Sequence, residues 1–222
     1  MNDIILIDKP ANMTSFGVVA RIRRVLSEAA GKKVKVGHTG TLDPFATGLM
    51  ILVTGTMCRQ AERFSKLDKV YEATIIMGKI SSTGDPEGEI SEISPRQPDR
   101  VEVEAVCVRF EGDIWQTPPI YSAIKIAGER AYKLARKGET PDMPKRQVTI
   151  FALEIIDYTY PTLKIRAHVS SGTYIRTLAE DIGEALGVGA YCQELRRTKI
   201  ADFTVENAKT LADFGVHESV LQ

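Results

Sequence analysis

The stretch VGHTGTLDPFATGLMILVTG, from Val36 to Gly55, constrains the fold more than any other part of the chain. Its second half contains LMILV (Leu49–Val53), a continuous apolar run that reads as a core strand. Its first half is punctuated by glycine, threonine and one proline, so the chain must enter that strand through a loop. Asp43 sits in this loop between Leu42 and Pro44. A residue before proline is pushed out of the helical region, so Asp43 belongs to neither a helix interior nor an ordinary helix cap. Any fold for this chain must therefore carry one carboxylate on a loop of small residues, flanked by a buried strand.

The remaining segments predict a mixture of strands and helices. IILID (Ile4–Asp8) is a short buried strand ending at Lys9-Pro10. Ser15 is placed to N-cap a helix whose apolar positions Val18, Val19, Ile22, Val25, Leu26 and Ala29 recur at three and four residues, closed by Gly31. A helix is expected over 57–67, and KVYEATIIMG (Lys69–Gly78) alternates as a half-buried strand does. STGDPEGE (Ser82–Glu89) is a turn by its chemistry, and PDRVEVEAVCVRFEG (Pro98–Gly112) suits a helix start by Pro98 and its acids and a strand by its valines, with the helix preferred. GERAYKLARKG is a short basic helix between glycines. RQVTIFALEIIDY and LKIRAHVSS are paired strands turning at YPT. TYIRTLAEDIGEALG (Thr173–Gly187) is the clearest helix, with Gly187 at its C-terminal stop. No regular strand–helix–strand rhythm links them, which predicts an α+β fold with a mixed, largely antiparallel central sheet flanked by helices.

The 222 residues are 43% hydrophobic, enough for one substantial core. The 29 basic and 29 acidic residues cancel, so no uniformly basic surface announces a nucleic-acid partner. Basic clusters survive locally: RIRR (Arg21–Arg24), KKVK (Lys32–Lys35), the segment from about 122 to 146, and RRTK (Arg196–Lys199). Acids concentrate in DPEGEISE from Asp85. Mixed-sign solvated surface explains any single cluster, while four together make a basic face plausible. Cys58, Cys107 and Cys192 lie far apart with no metal-ligand spacing, so they read as reduced core residues and no metal site is expected. The N-terminus lacks the basic and apolar regions of a signal peptide, and no window is long enough to span a membrane. A cytoplasmic location is expected.

An isolated Asp-Pro is normally a turn residue bonding its own loop. Three features favour a functional Asp43: the rigid core strand beside it, small neighbours that let another molecule approach, and a basic partner in SSGTYIR, where Arg176 opens a strong helix.

HTGTLDPFATG resembles the catalytic motif of the TruB family of tRNA pseudouridine synthases. So do DKPANMTS (Asp8–Ser15), QTPPIYSAIKIAGERAYKLARKGE (Gln116–Glu139) and SSGTYIRTLAEDIGEALG (Ser170–Gly187), four ordered motifs over nearly the whole chain. The resemblance implies the pseudouridine synthase fold and isomerisation of a uridine in the T loop of tRNA, at the position numbered 55. It implies Asp43 as the catalytic aspartate, paired with Arg176, and Tyr71 against the target uracil. His38 would lie where a base has left its stack, Tyr174 and Leu195 would line the uridine pocket, and Lys9 and Pro10 would support the catalytic loop. The chemistry suits these residue types: a carboxylate can trap the electron-poor sugar carbon left when uracil departs as a delocalised anion. The sugar route, with Tyr71 as proton acceptor, is preferred. No cofactor is expected, since no nucleotide-binding or metalloprotease motif is present.

The resemblance further implies tRNA, through its T arm, as partner; the short C-terminal tail argues against the relatives that use a guide RNA and partner proteins, so neither is expected, and a monomer is the simplest expectation. A catalytic domain over 1–202 is expected, including an RNA-clamping segment at about 122–146. A short tail over 203–222, with a helix in TLADFGVHESVL, would stand where many relatives carry an RNA-binding domain of the PUA type. Asn12 replaces a usual glycine but tolerates the left-handed backbone, Phe45 replaces a commoner leucine, and Ser170 a frequent cysteine. Two rival readings are an RNA-binding module with dispensable catalysis and, more weakly, a nucleoside hydrolase.

Overall fold

A computed structural model describes residues 2–122, 124–126, 128–139 and 141–216. In chain order the elements are β1 (Ile4–Lys9), α1 (Ser15–Ala30), β2 (Val36–His38), β3 (Thr47–Thr54), a 3-10 segment (Gly55–Gln60), α2 (Ala61–Ser65) and β4 (Lys69–Met77). There follow β5 (Lys79–Ser81), β6 (Ile90–Glu92), α3 (Arg100–Val108), β7 (Gly112–Gln116), β8 (Lys125–Ile126), β9 (Glu129–Arg130) and α4 (Ala131–Arg136). The last are β10 (Arg146–Thr159), β11 (Thr162–Val169), α5 (Ile175–Ala185), β12 (Ala190–Ile200) and β13 (Phe203–Thr204), then 3-10 turns at Val205–Asn207 and Ala212–Phe214. Among the described residues the main sheet is mixed and largely antiparallel, with helices flanking it, which is the α+β class the sequence predicts.

Two compact units divide the chain: residues 1–70 with 196–222, and residues 71–195. In the first, β3 is the central element. β1 pairs with it antiparallel, from Ile4 opposite Val53 to Lys9 opposite Gly48. β2 pairs antiparallel near its end, with His38 opposite Leu52, and Arg196 and Arg197 of β12 pair parallel with Thr47 and Gly48. Leu49, Ile51 and Val53 join Ile200 and Val205 in a buried cluster that α2 covers with Ala61 and Phe64. The apolar run Leu49–Val53 is thus the core strand the sequence predicts.

Two local readings need correction here. Thr14, not Ser15, caps α1, accepting from the Gly17 amide at 3.0 Å. The segment expected as one helix over 57–67 is a 3-10 stretch followed by five α-helical residues, because it begins at Gly55 with a positive φ and tightens into three-residue turns. Gly31 does close α1 in the left-handed conformation.

In the second unit, β10 pairs antiparallel with both β11 and β7. β4 alternates as predicted: Tyr71, Ala73, Ile75 and Met77 are buried and the intervening residues half-buried. α3 starts at a full capping box, the Asp99 side chain accepting from the Glu102 amide while Glu102 reaches back to the Asp99 amide. α5 buries Ile175, Leu178 and Ile182. Gly183 lets its backbone approach that of Gly189 and Ala190, where a Cβ would stand 2.3 Å from the Ala190 nitrogen. The basic segment 122–146 carries β8, β9 and α4, with residues 123, 127 and 140 outside the described residues. The C-terminal helix expected in TLADFGVHESVL is a 3-10 turn at Ala212–Phe214, and residues 217–222 lie outside the described residues.

Candidate functional site

Asp43 opens a four-residue turn, Asp43-Pro44-Phe45-Ala46, closed by the Ala46 amide donating to the Asp43 carbonyl at 3.2 Å. Proline at the second position and aspartate at the first suit a type I turn. The closing bond is backbone to backbone, so the turn does not depend on the Asp43 carboxylate. Three side chains brace the loop around it. The Ser15 hydroxyl donates to the Leu42 carbonyl at 2.9 Å and accepts from the Leu42 amide at 2.8 Å. Lys9, fully buried, donates to the carbonyls of Pro10, Met13 and Pro44 at 2.7, 2.7 and 3.0 Å. Arg197, also fully buried, donates from Nε to Leu49 at 2.7 Å, from Nη2 to Gly40 at 3.2 Å and from Nη1 to Thr41 at 3.5 Å. Leu42, Pro44, Gly40 and Thr41 are therefore fixed on both sides of Asp43.

His38 ends β2, and the next residue, Thr39, ties its amide to the Ile51 carbonyl at 3.1 Å. Asn12 adopts φ 59°, the left-handed conformation its side chain tolerates, so the loop carrying Lys9 and Pro10 forms without the usual glycine. Gly48 has φ 104° because β12 passes so close that a Cβ would stand 2.3 Å from the Arg197 carbonyl oxygen.

The second unit carries the other residues singled out in the sequence. Tyr71 lies on the buried side of β4, not on its outward half, and Leu195 is buried in β12. Tyr174 stands at the N-terminal boundary of α5, where the Gln116 side-chain amide holds its backbone at both ends. The Tyr174 amide donates to Gln116 Oε1 at 3.0 Å, and Gln116 Nε2 donates to the Tyr174 carbonyl at 3.2 Å. Arg176, only 3% exposed, donates from Nη1 to Asp85 Oδ2 at 3.0 Å and to the Thr83 carbonyl at 2.8 Å. Its Nη2 donates to the Tyr121 carbonyl at 2.9 Å.

Asp85, in the acid-rich stretch DPEGEISE, is interior rather than surface. It is buried, its Oδ1 accepts from Thr83 Oγ1 at 2.6 Å and from the Glu87 amide at 3.0 Å, and its other oxygen meets Arg176. A buried charge needs this degree of pairing. RRTK is likewise only partly surface, since Arg197 is interior and Arg196 forms a two-pronged pair with Asp8 at 2.7 and 3.1 Å.

Around Arg176 the carboxylates are pushed upward. Burial raises Glu180 to about 7, against the downward pull of Arg176 and with help from Asp181 and Asp85. Burial also raises Asp181 to about 6, with Glu184 adding to the effect and Lys145 opposing it. In the first unit, burial lowers Lys69 to about 8, reinforced by Arg197 and opposed by Asp68.

Sequence reasoning did not find Ser15, Arg197, Gln116 or Asp85 in these positions. All four lie in quoted stretches, but the partners that place them are 27 or more residues away in sequence.

The domain model described as TruB family pseudouridylate synthase, N-terminal domain, matches residues 23–175. The tRNA pseudouridylate synthase B C-terminal domain matches residues 176–219. The chain belongs to the TruB family.

Two relatives carry the name tRNA pseudouridine synthase B. The Burkholderia lata protein is 44% identical over 211 residues, covering 95% of this chain and 64% of its own length. The Phocaeicola vulgatus protein is 43% identical over 214 residues, covering 96% and 91%. This TruB-family chain thus spans just under two thirds of the first relative's length. Among solved structures, a Cbf5-Nop10-Gar1 complex superposes with TM-score 0.73 at 30% identity, covering 95% of this chain and 52% of the matched one. The family resemblance read from four motifs is borne out.

Proposed function

We propose that this TruB-family chain isomerises uridine to pseudouridine in the T loop of tRNA, at position 55, with the Asp43 carboxylate as the catalytic group and no cofactor. The observation that carries this reading is the brace around Asp43. Ser15, Lys9 and Arg197 fix its neighbours on both sides, which is the preorganisation a loop-borne catalytic group requires. Membership of a family whose relatives are named for this reaction supports the choice of substrate.

The reaction is an isomerisation, and its atoms balance within the substrate. The bond between the ribose C1′ and uracil N1 breaks, with the electron pair leaving on the base. Asp43 stabilises or captures the electron-poor C1′. Uracil turns and C5 bonds C1′, displacing the Asp43 carboxylate where it had captured that carbon; C5 then loses its hydrogen as a proton, and N1 gains one. Tyr71 accepts the C5 proton in this scheme. Arg176 is the partner that holds the catalytic carboxylate in its charged form, and Tyr174 and Leu195 line the uridine pocket. His38 fills the place the flipped base leaves, offsetting a few kcal/mol of lost stacking. Lys9 and Pro10 support the catalytic loop, and the segment 122–146 clamps the RNA backbone. The protein works as a cytoplasmic monomer without guide RNA or protein partner. Among the described residues no helix is long and apolar enough to cross a membrane.

Unmodified tRNA carrying tritium at C5 of its uridines tests this reading. Wild type should release close to one equivalent per tRNA and Asp43→Asn none, with tRNA affinity retained. Binding without release from either protein would leave an RNA-binding module and refute the isomerase.

A further inference from the structure

A concave basic site lies in the first unit, at the end of β3 where Gly55 follows the strand. Its cavity, of about 370 Å³, is lined by Lys32, Lys33, Lys35 and Arg59 with Asn2 and Thr56, and no acidic residue lines it. In a chain with 29 cations and 29 anions, four cations around one cavity without a carboxylate is a strong local segregation. All four side chains are exposed, and among the described residues none of them takes part in an ion pair or a side-chain hydrogen bond. Several exposed cations elsewhere are matched, as in Lys66 with Glu62, Arg100 with Glu104 and Arg166 with Glu72 and Glu154.

The walls of this cavity are built rather than loose. The Gly55 amide donates to the Lys35 carbonyl at 2.8 Å, and the Thr56 amide to Asn2 Oδ1 at 2.8 Å. The Val34 amide donates to the Ser27 hydroxyl at 3.0 Å, and Val34 and Val36 are buried. Alternation therefore turns Lys33 and Lys35 outward from a fixed segment. β2 runs directly from Lys35 to His38, a path of about 10 Å at the rise of an extended chain.

We propose that this cavity binds phosphates of the tRNA backbone, a second RNA-holding site separate from the basic segment 122–146. The inference rests on the isomerase reading, which supplies the RNA. Phosphodiesters are the fitting ligand because they offer repeated single charges to cations spread over a cavity. Flexible lysines serve such a surface as point charges.

The test uses the full chain and an unmodified tRNA transcript. In one variant Lys32, Lys33, Lys35 and Arg59 are all replaced by Gln. A second variant replaces four exposed cations elsewhere, Arg100, Arg109, Lys164 and Lys209, by Gln, giving the same net charge. A third changes the three cavity lysines to Arg. The cavity-Gln variant should bind tRNA at least tenfold more weakly. Its plot of log affinity against log salt should be shallower by about two, roughly one for each phosphate no longer neutralised. The distant-charge variant should weaken much less, the Arg variant should keep wild-type affinity and slope, and all should share the wild-type unfolding midpoint. Equal weakening in the first two variants, or wild-type affinity and slope in the first, would overturn the subsite. Tritium release by wild type is scored separately. Release together with unchanged affinity of the cavity-Gln variant refutes the subsite alone, and absence of release refutes the isomerase reading.

Discussion

Lys9, fully buried, donates to three carbonyls, those of Pro10, Met13 and Pro44. Only Pro44 belongs to the catalytic loop; the other two belong to the turn that leads into α1. Lys9 is thus a rivet between two loops. Lys9→Met would keep most of the volume and leave those carbonyls unmatched. Unpaired buried acceptors cost about 1–3 kcal/mol each before relaxation, so a loss of about 2–4 kcal/mol is expected in the urea midpoint. Loosening of the loop around Asp43 should lower single-turnover tritium release about 100-fold, the effect of a displacement of about 1 Å at a reacting group. Unaltered release in a folded variant would remove Lys9 from the loop's support. The sequence pointed to Lys9 only through the family motif. Nothing local separates a lysine before proline from a solvated one, because its third partner is 35 residues away. Asp85 was hidden for the same reason: its neighbours Pro86, Glu87 and Gly88 have the composition of an exposed turn, and its partner Arg176 is 91 residues away.

At the scale of elements, the parallel contact between β3 and β12 sets what can stand at position 48. Gly48 has φ 104°, and an added methyl would lie 2.3 Å from the Arg197 carbonyl oxygen and 2.8 Å from its nitrogen. Both obstacles are backbone, so no side chain can yield. Gly48→Ala should therefore cost about 2–4 kcal/mol from the disfavoured φ and forced strand separation together. It should also reduce tritium release, because Arg197 holds Gly40 and Thr41 from the same strand position. Denaturant unfolding of the variant checks the first effect, and a midpoint equal to wild type would show that the strands can part at no cost. Elements with strong periodicity were legible, α5 from its apolar stripe and β4 from strict alternation, while α3 was favoured by Pro98 and its acids over the strand its valines also suit. The 3-10 segment at 55–60 was not, since periodicity does not distinguish three-residue turns from a helix start. Nor was the shift of the α1 cap from Ser15 to Thr14. Two adjacent hydroxyls suit the cap equally, and the choice is made by Leu42, whose backbone takes Ser15.

At the scale of the whole molecule, a formal charge of zero conceals groups that titrate in opposite directions on folding. Glu180 has its proton held to about 7 in the folded protein, against 4.5 in a free side chain, and burial is the main cause. Between those values the folded state binds more protons than the unfolded state, so the contribution of Glu180 to stability is fully present below pH 4.5 and is lost as pH rises through 7. Asp181 adds a smaller effect of the same sign between 3.8 and about 6. Lys69 works the other way. Its folded value near 8 lies below 10.5, so between the two the unfolded state binds more protons and stability rises with pH. Together these groups place a trough in stability near pH 7–8, between the two windows. Glu180 keeps some contact with water, so its share is about 1–3 kcal/mol, or several degrees in the unfolding midpoint for a chain of this size. Glu180→Gln should accordingly flatten the fall between pH 5 and 8 and leave the rise above pH 8 in place. Thermal unfolding of both proteins across this range measures the difference. An equally steep fall in the Gln variant would mean that Glu180 ionises in the folded protein as readily as in the open chain.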